Sequence, residues 1–373
     1  MDIIKIAMFS YADINNYGDI LFSHVFKHEI EKRIANVNID FYTPSEIELE
    51  GFYYRSYHKS KVKEKYDALI LAGGEVVHLF EERTWKPIYE KNNQKVLSEN
   101  AYDVVWDWID KDSSFKAWLS VGVRPFGDKW DDDKINQSIS DLDYISVRGI
   151  LSKKILEHGD YEEFNDKIKI TPDLGWIFPD YLTIRNEVGQ HYKKWAFGSK
   201  YIIFQVHNIT DIEAKNISDA LLKFKEETGF EVLLLPVIHL WKDEKYLELI
   251  LEASGGEFKL LPNNLSVLEM LDLIVHSEVV LCSSLHVAIT ALAKGIPAAI
   301  FNKWQGTKLQ DLYGLQFRSE YLFSDSSDTY SVLSRLLKEK QTSKSLHIYA
   351  DFMKAKLYET FDEISDKIIK NKS

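Results

Sequence analysis

The chain has 373 residues, with 46 Lys and Arg against 58 Asp and Glu for a formal charge of −12, and at roughly 100–200 residues per domain its length predicts about two domains. Hydrophobic residues make up 45% and aromatics 13%, enough for two packed cores and too many for a disordered chain. The acidic balance without a dense Lys/Arg block excludes a sequence-independent nucleic-acid binder, and the single cysteine, Cys282, excludes a disulfide scaffold or a CxxC zinc cluster and fits a reducing compartment.

The first apolar run, Ile3–Phe9, lacks a basic flank and reads as a buried strand rather than a targeting segment. Helical periodicity follows over Ile20–Ile34, where Leu21, Phe22, Val25, Phe26 and Ile30 share one face. Strands are predicted at Val37–Tyr42, Ala68–Leu71, Ala117–Val121 and Tyr144–Val147. Residues 43–66 and 75–115, rich in Tyr, Trp and charge, read as irregular segments of the kind that carries function. Pro172, Gly175, Pro179 and the polar stretch Arg185–Lys194 interrupt the pattern, so a domain boundary is expected between Pro172 and Ser199.

A second alternating series then begins. Strands are expected at Tyr201–Val206, Val232–Pro236, Phe258–Leu261, Val279–Cys282 and Ala298–Phe301, and helices at Ile212–Glu227, Glu244–Ala253, Ser266–Val275 and Leu285–Lys294. The tail, about His347–Lys370, reads as an amphipathic helix with Tyr349, Phe352, Met353, Leu357, Phe361, Ile364 and Ile368 on one face. The expected architecture is α/β, with two doubly wound, Rossmann-like domains over residues 1–185 and 196–346 and a ligand cleft at their strand ends. The longest apolar run, Val232–Ile238, is about a third of the ~20 residues a membrane span needs, so a soluble, cytoplasmic protein is expected.

Several strand ends carry candidate chemistry. In the run Cys282-Ser283-Ser284-Leu285-His286 a serine is placed to N-cap the following helix, which Gly295 and Pro297 stop. His286 then sits in the first helical turn, where N–H groups and the positive dipole end favour an anion; an incidental histidine on a capped helix is the competing reading. Asn16-Tyr17-Gly18-Asp19 follows the first strand: Gly18 permits close backbone approach, and Asp19 can cap a helix or act on a hydroxyl. Gly73-Gly74-Glu75 ends another strand, and Arg148 ends a third, where it can meet a carboxylate or phosphate or remain a surface charge. His207, Asn208 and His239 also end strands and are the weaker ligand candidates. The acidic run Asp131–Asp133 reads as a solvated loop, and no metal-ligand cluster is visible, so no metal or other cofactor is expected.

In their order along the chain these residues resemble the polysaccharide pyruvyltransferase family. The resemblance rests on Asn16-Tyr17-Gly18-Asp19, Gly73-Gly74, Ser146-Val147-Arg148 followed by Ser152, and Thr171-Pro172-Asp173. It continues through Pro236 followed by Asp243 and ends on Leu285-His286, Ile289, Ala291, Gly295 and Pro297. It implies a glycosyltransferase-B-like fold of two Rossmann-like domains, with the C-terminal helix (347–373) crossing back to the first. It also implies transfer of pyruvate from phosphoenolpyruvate onto two sugar hydroxyls as a cyclic ketal, with release of phosphate.

On that resemblance the first domain takes the acceptor and the second takes phosphoenolpyruvate. His286 contacts phosphate or acts as general acid. Asp19 or Glu75, from the first domain, is the hydroxyl base, and Ser283, Ser284, Leu285 and the following amides hold the phosphate. Asn16, Gly18, Gly73, Gly74 and Arg148 complete the substrate contacts, with His207, Asn208 and His239. The family's Arg-Leu-His is Ser284-Leu285-His286 here, so Arg148, Arg124, Lys303 or Lys308 supplies the missing charge, or the donor differs. The implied partners are phosphoenolpyruvate and a sugar or lipid-linked oligosaccharide in surface-polysaccharide synthesis, the latter bringing the protein to the inner face of a membrane. A nucleotide-sugar glycosyltransferase of the same architecture, or a non-catalytic sugar- or anion-binding relative, is the alternative.

Overall fold

The computed structural model describes residues 3–56, 64–77, 114–123, 139–157, 166–186, 188–196, 198–238, 242–303, 307–313, 318–342 and 344–372. The chain divides into two compact units: unit 1 is Met1–Ile14, Phe22–Leu174 and Ala355–Ser373, and unit 2 is Asn15–Leu21 and Gly175–Lys354.

Unit 1 is built on strands β1 (Ile4–Phe9), β2 (Val37–Thr43), β3 (Ile47–Leu49), β4 (Phe52–Ser56), β5 (Ala68–Ala72), β6 (Phe115–Val121), β7 (Tyr144–Val147) and β8 (Ile168–Ile170). They form one sheet in the order β3-β4-β2-β1-β5-β6-β7-β8. All neighbours are parallel except β3 and β4. Every residue of β5 and β6 is buried, as expected for central strands covered on both faces. Helix α1 (Tyr17–Arg33) carries Asp19 in its first turn and Lys32 and Arg33 in its last, matching the helix dipole at both ends. Its predicted apolar face, Leu21, Phe22, Val25, Phe26 and Ile30, is fully buried.

The expectation of an irregular 43–66 is corrected by the β3–β4 hairpin. Its two-residue turn places Glu50 at φ +52° and Gly51 at φ +81°, and two left-handed residues are what the twist of a tight hairpin demands. Glu-Gly is a weaker turn signal than Asn-Gly or Asp-Gly, which is why the sequence pattern missed it. Most of 75–115 lies outside the described residues. A short helix α2 (Ile150–Leu156) follows β7.

Unit 2 contains α3 (Phe178–Ile184), α4 (Tyr192–Ala196), β9 (Tyr201–Phe204), α5 (Asp211–Thr228), β10 (Glu231–Leu234), α6 (Asp243–Ala253) and β11 (Lys259–Leu260). It continues with α7 (Val267–Val275), β12 (Val280–Cys282), α8 (Leu285–Ala293), β13 (Ala298–Phe301), α9 (Thr307–Tyr313), β14 (Leu322–Phe323) and α10 (Thr329–Thr342). The sheet order β11-β10-β9-β12-β13-β14, parallel throughout, is the doubly wound arrangement with a switch point between β9 and β12. Helix boundaries follow local chemistry. Thr210 with Glu213 and Ser266 with Glu269 form capping boxes at the starts of α5 and α7, and Gly229 at φ +69° ends α5.

The tail is α11 (Ser345–Lys372). Its residues from Ala355 onward belong to unit 1, where Leu357, Phe361, Ile364 and Ile368 are buried. Phe361 lies 6.4 Å from the Phe26 ring, and Asp362 accepts a 2.6 Å bond from Arg33. The predicted apolar face does not extend through Phe352, which is 57% exposed. The earlier turns pack instead through Leu346, Ala350 and Tyr349, whose ring stands edge-on to Trp176 in unit 2. Among the described residues no helix is long and apolar enough to cross a membrane.

Candidate functional site

In unit 2 the β9 and β12 ends meet at the switch point. The Ser283 N–H donates to Gln205 Oε1 at 3.0 Å, and Gln205 Nε2 donates to Asp243 Oδ2 at 2.8 Å. The same Asp243 oxygen accepts the Val237 and Ile238 amides at 3.2 and 3.1 Å, fixing the loop after β10. Burial pushes the Asp243 carboxyl up to about 6 against the pull of those three donors. Ser283 Oγ accepts the His207 N–H at 3.2 Å and lies 3.2 Å from His207 Nδ1. Burial, helped by the charge of Lys308, lowers His207 to about 4, so its imidazole is neutral at physiological pH. Asn208 follows in the left-handed region at φ +57°, which asparagine tolerates. Lys303 reaches its carbonyl at 3.3 Å and pairs with Glu213 at 2.8 Å.

Ser284 occupies the N-cap position of α8, but neither serine caps the helix as expected: Ser284 makes no side-chain cap bond, and Ser283 Oγ is engaged with His207. Neither serine side chain therefore caps the start of α8, which has His286 in its first turn and Leu285 packed into the core. The Asn15–Leu21 segment reaches this point because Asn16 bridges to Ile238 and the Tyr17 hydroxyl lies 3.1 Å from Thr290 Oγ1, which donates to the His286 carbonyl at 2.7 Å. A Cβ on Gly18 would fall 2.0 Å from His286 Nδ1, so only glycine lets the imidazole lie against this backbone. Asp19 accepts from Asn16 Nδ2 at 2.8 Å. Asp19 thus belongs to the unit that holds His286, a placement the strand-by-strand reading did not anticipate, because the Asn16–Ile238 bridge is a long-range pairing.

Unit 1 gathers the other candidates. Gly73 and Gly74, at φ +67° and +74°, turn the chain after β5, and Gly74 accepts the Gly122 N–H at 2.7 Å. Arg148, at the end of β7, has a buried guanidinium 3.2 Å from Asp173 and 3.6 Å from Glu75. Room for it comes from Gly122, where a Cβ would lie 2.6 Å from the Arg148 Nε. The β6 end is shaped by Ser120, held at φ +54° with its N–H on Ser146 Oγ at 2.9 Å and its hydroxyl 2.8 Å from Thr171 Oγ1. Ser152 Oγ accepts the Val123 N–H at 3.2 Å. The residues that carried the family resemblance here thus build the bend that seats Arg148.

His239, Arg124 and Asp131–Asp133 lie outside the described residues. The sequence reading missed Ser120 and Gly122, whose signal was another small-residue step at a strand end. It also missed the Gln205–Asp243 link, since 38 residues separate the partners and no local pattern marks the pair.

A family model for polysaccharide pyruvyl transferase matches residues 16–302, from the Asn16 loop to the β13 end. The chain belongs to this family. No curated protein sequence matches it. Its fold is shared with UDP-GlcNAc 2-epimerases at low sequence identity. The Neisseria meningitidis enzyme bound to UDP-GlcNAc is 11% identical at a TM-score of 0.58, covering 99% of each chain. The Methanocaldococcus jannaschii enzyme is 13% identical at 0.59, over 93% of this chain and 96% of that one. The wall teichoic acid polymerase TagF is 11% identical at 0.52, over 98% and 88%. The pyruvyl transferase family member described here thus has a glycosyltransferase-B-type fold of two Rossmann-like units.

Proposed function

We propose that the protein transfers pyruvate from phosphoenolpyruvate to two hydroxyls of a sugar in a polysaccharide precursor, forming a cyclic ketal. Family membership supports the reaction class, and one geometric observation carries the site: the Asn16–Asp19 loop, His286 and the Ser283–Ser284 turn converge on the start of α8. A helix start with a neighbouring imidazole suits a phosphate ester.

The steps follow from the donor's chemistry. A proton adds to the methylene carbon, leaving positive charge at the carbon that bears the phosphate and carboxylate. A sugar hydroxyl attacks that carbon as its proton passes to a base. Phosphate then leaves with its C–O electron pair, and the second hydroxyl attacks the same carbon and closes the ring as its proton passes to the departing phosphate. His286 serves as general acid or phosphate contact, and Asp19, in the same unit, is the hydroxyl base favoured by position. Glu75 faces Arg148 instead.

The test is incubation with phosphoenolpyruvate and a panel of sugar acceptors. Stoichiometric phosphate release together with the pyruvate mass gain on one acceptor supports the reading; phosphate-free binding refutes it. The fold neighbours' UDP ligands favour one competing reading, a nucleotide-sugar enzyme, which predicts activity with UDP-sugars and none with phosphoenolpyruvate.

A further inference from the structure

The hydrogen bonds around Ser283 determine more than its position. Gln205 can be oriented only one way: its Nε2 faces the Asp243 carboxylate, so Oε1 must take the Ser283 N–H, and the flipped amide would set donor against donor and acceptor against acceptor. With the turn held there, Ser283 Oγ accepts the His207 N–H and has one proton of its own to place. Among the described residues the one acceptor within hydrogen-bonding distance of that hydroxyl is His207 Nδ1, at 3.2 Å. Were Nδ1 protonated, this buried hydroxyl's proton would have no acceptor among the described residues. The arrangement that satisfies both groups has Oγ–H donating to Nδ1 and the imidazole proton on Nε2. Nε2 has no hydrogen-bond partner among the described residues.

We infer that Ser283 locks His207 as the Nε2–H tautomer, so that His207 presents a neutral, directional N–H to the anionic phosphate of the donor at the β9–β12 switch point. The inference rests on the reading that phosphoenolpyruvate binds this unit. It gives His207 the work of a hydrogen-bond donor rather than an acid or a cation. Lys308 is the ionisable neighbour whose charge acts on the ring, and it disfavours the imidazolium that a cationic role would need. A neutral donor beside a lysine stabilises a phosphate without changing its own protonation as the phosphate departs.

Two measurements test this. Nitrogen NMR of the ¹⁵N-histidine-labelled protein, with the His207 signals assigned by their loss in His207→Gln, reads the tautomer directly. The expected result is a protonated Nε2 and unprotonated Nδ1 from pH 5.5 to 8 in the wild type, and a mixture of tautomers in Ser283→Ala. A protonated Nδ1, or titration near pH 6.5, overturns the lock. Calorimetric titration with phosphoenolpyruvate, and separately with inorganic phosphate, then tests the use of the N–H. A hydrogen bond to a charged group predicts binding about tenfold or more weaker in His207→Ala, and within about threefold of wild type in His207→Gln, whose amide keeps a neutral N–H. Wild-type affinity in His207→Ala overturns the inference and leaves the proposed donor standing. No binding of either probe to the wild type overturns both, while the tautomer measurement still reads out without ligand.

Discussion

In unit 1 the guanidinium of Arg148 is set between the carboxylates of Glu75 and Asp173, whereas in unit 2 the start of α8 is surrounded by a serine, a glutamine and a neutral histidine. Both clusters stand at strand ends of a doubly wound sheet, and both depend on a glycine that admits a side chain, Gly122 for Arg148 and Gly18 for His286. They differ in where the charge goes. The arginine's charge is already met by two acids, which makes it a clamp on the ends of β5, β7 and β8. The α8 turn has hydrogen-bonding groups and a helix dipole, and among the described residues no carboxylate is bonded to Ser283 or His207, which makes it the better place for an incoming anion.

The largest expected effect separates the two clusters by function. His286→Ala should lower kcat/KM by about 10²–10⁴-fold while circular dichroism and Tm stay near wild type. Near-normal turnover in that variant would remove the histidine from the reaction. Arg148→Ala should act mainly on stability, because it leaves the buried Asp173 and the largely buried Glu75 without their guanidinium. A loss of about 3–5 kcal/mol in denaturant unfolding is expected. Unchanged stability with phosphoenolpyruvate binding weakened tenfold would instead give the arginine the donor's charge.

The glycines sharpen the contrast. Gly18→Ala drives a methyl into the His286 ring and should cost activity about 10–100-fold, whereas Gly122→Ala crowds Arg148 and should cost about 1–3 kcal/mol of stability. Equal loss of activity in both, at equal stability, would erase the distinction.

The smallest effect concerns the fold alone. Asp272, fully buried in α7, accepts the Gly189, His191 and Tyr192 amides and lies 3.0 Å from His276 Nδ1. Burial opposes ionisation of both, yet the hydrogen bonds outweigh it, lowering the Asp272 pKa and raising that of His276. The histidine's contribution is therefore fully present below its unfolded value of about 6.5 and is lost as pH rises through its raised folded value. The aspartate's is present above about 3.9 and is lost as pH falls through its lowered value. His276→Gln should flatten the alkaline part of the Tm-against-pH curve by a degree or two, and an unchanged slope would show the pair to be energetically silent.

The features legible in the sequence are those set by local interactions. The central strands were legible because buried parallel strands are short apolar runs, as at Ala68–Leu71 and Tyr144–Val147. The helices of unit 2 were legible as longer amphipathic runs between those strands, while the caps at Thr210, Ser266 and Gly229 that set their ends emerged only in the structure. His286 and Gly18 were visible individually, each at a strand-to-helix junction. Their contact was not, since it depends on Asn16 pairing with a loop more than two hundred residues away. The clamping of Arg148 was hidden for the same reason: Glu75, Gly122 and Asp173 reach it from three different segments. The C-terminal helix showed its periodicity but not which apolar residues are covered, because Leu357 and Phe352 are equally apolar and tertiary packing alone distinguishes them.

The central claim is that the start of α8 receives the phosphate of phosphoenolpyruvate, and ligand-dependent thermal stability tests it without an acceptor. A ligand bound only by the native state at about 100 times its Kd adds about 2.7 kcal/mol, a shift of a few degrees in a chain of this size. The account predicts that shift with phosphoenolpyruvate in the wild type, a smaller one in His286→Ala, and none with UDP. A shift with UDP and none with millimolar phosphoenolpyruvate would contradict it.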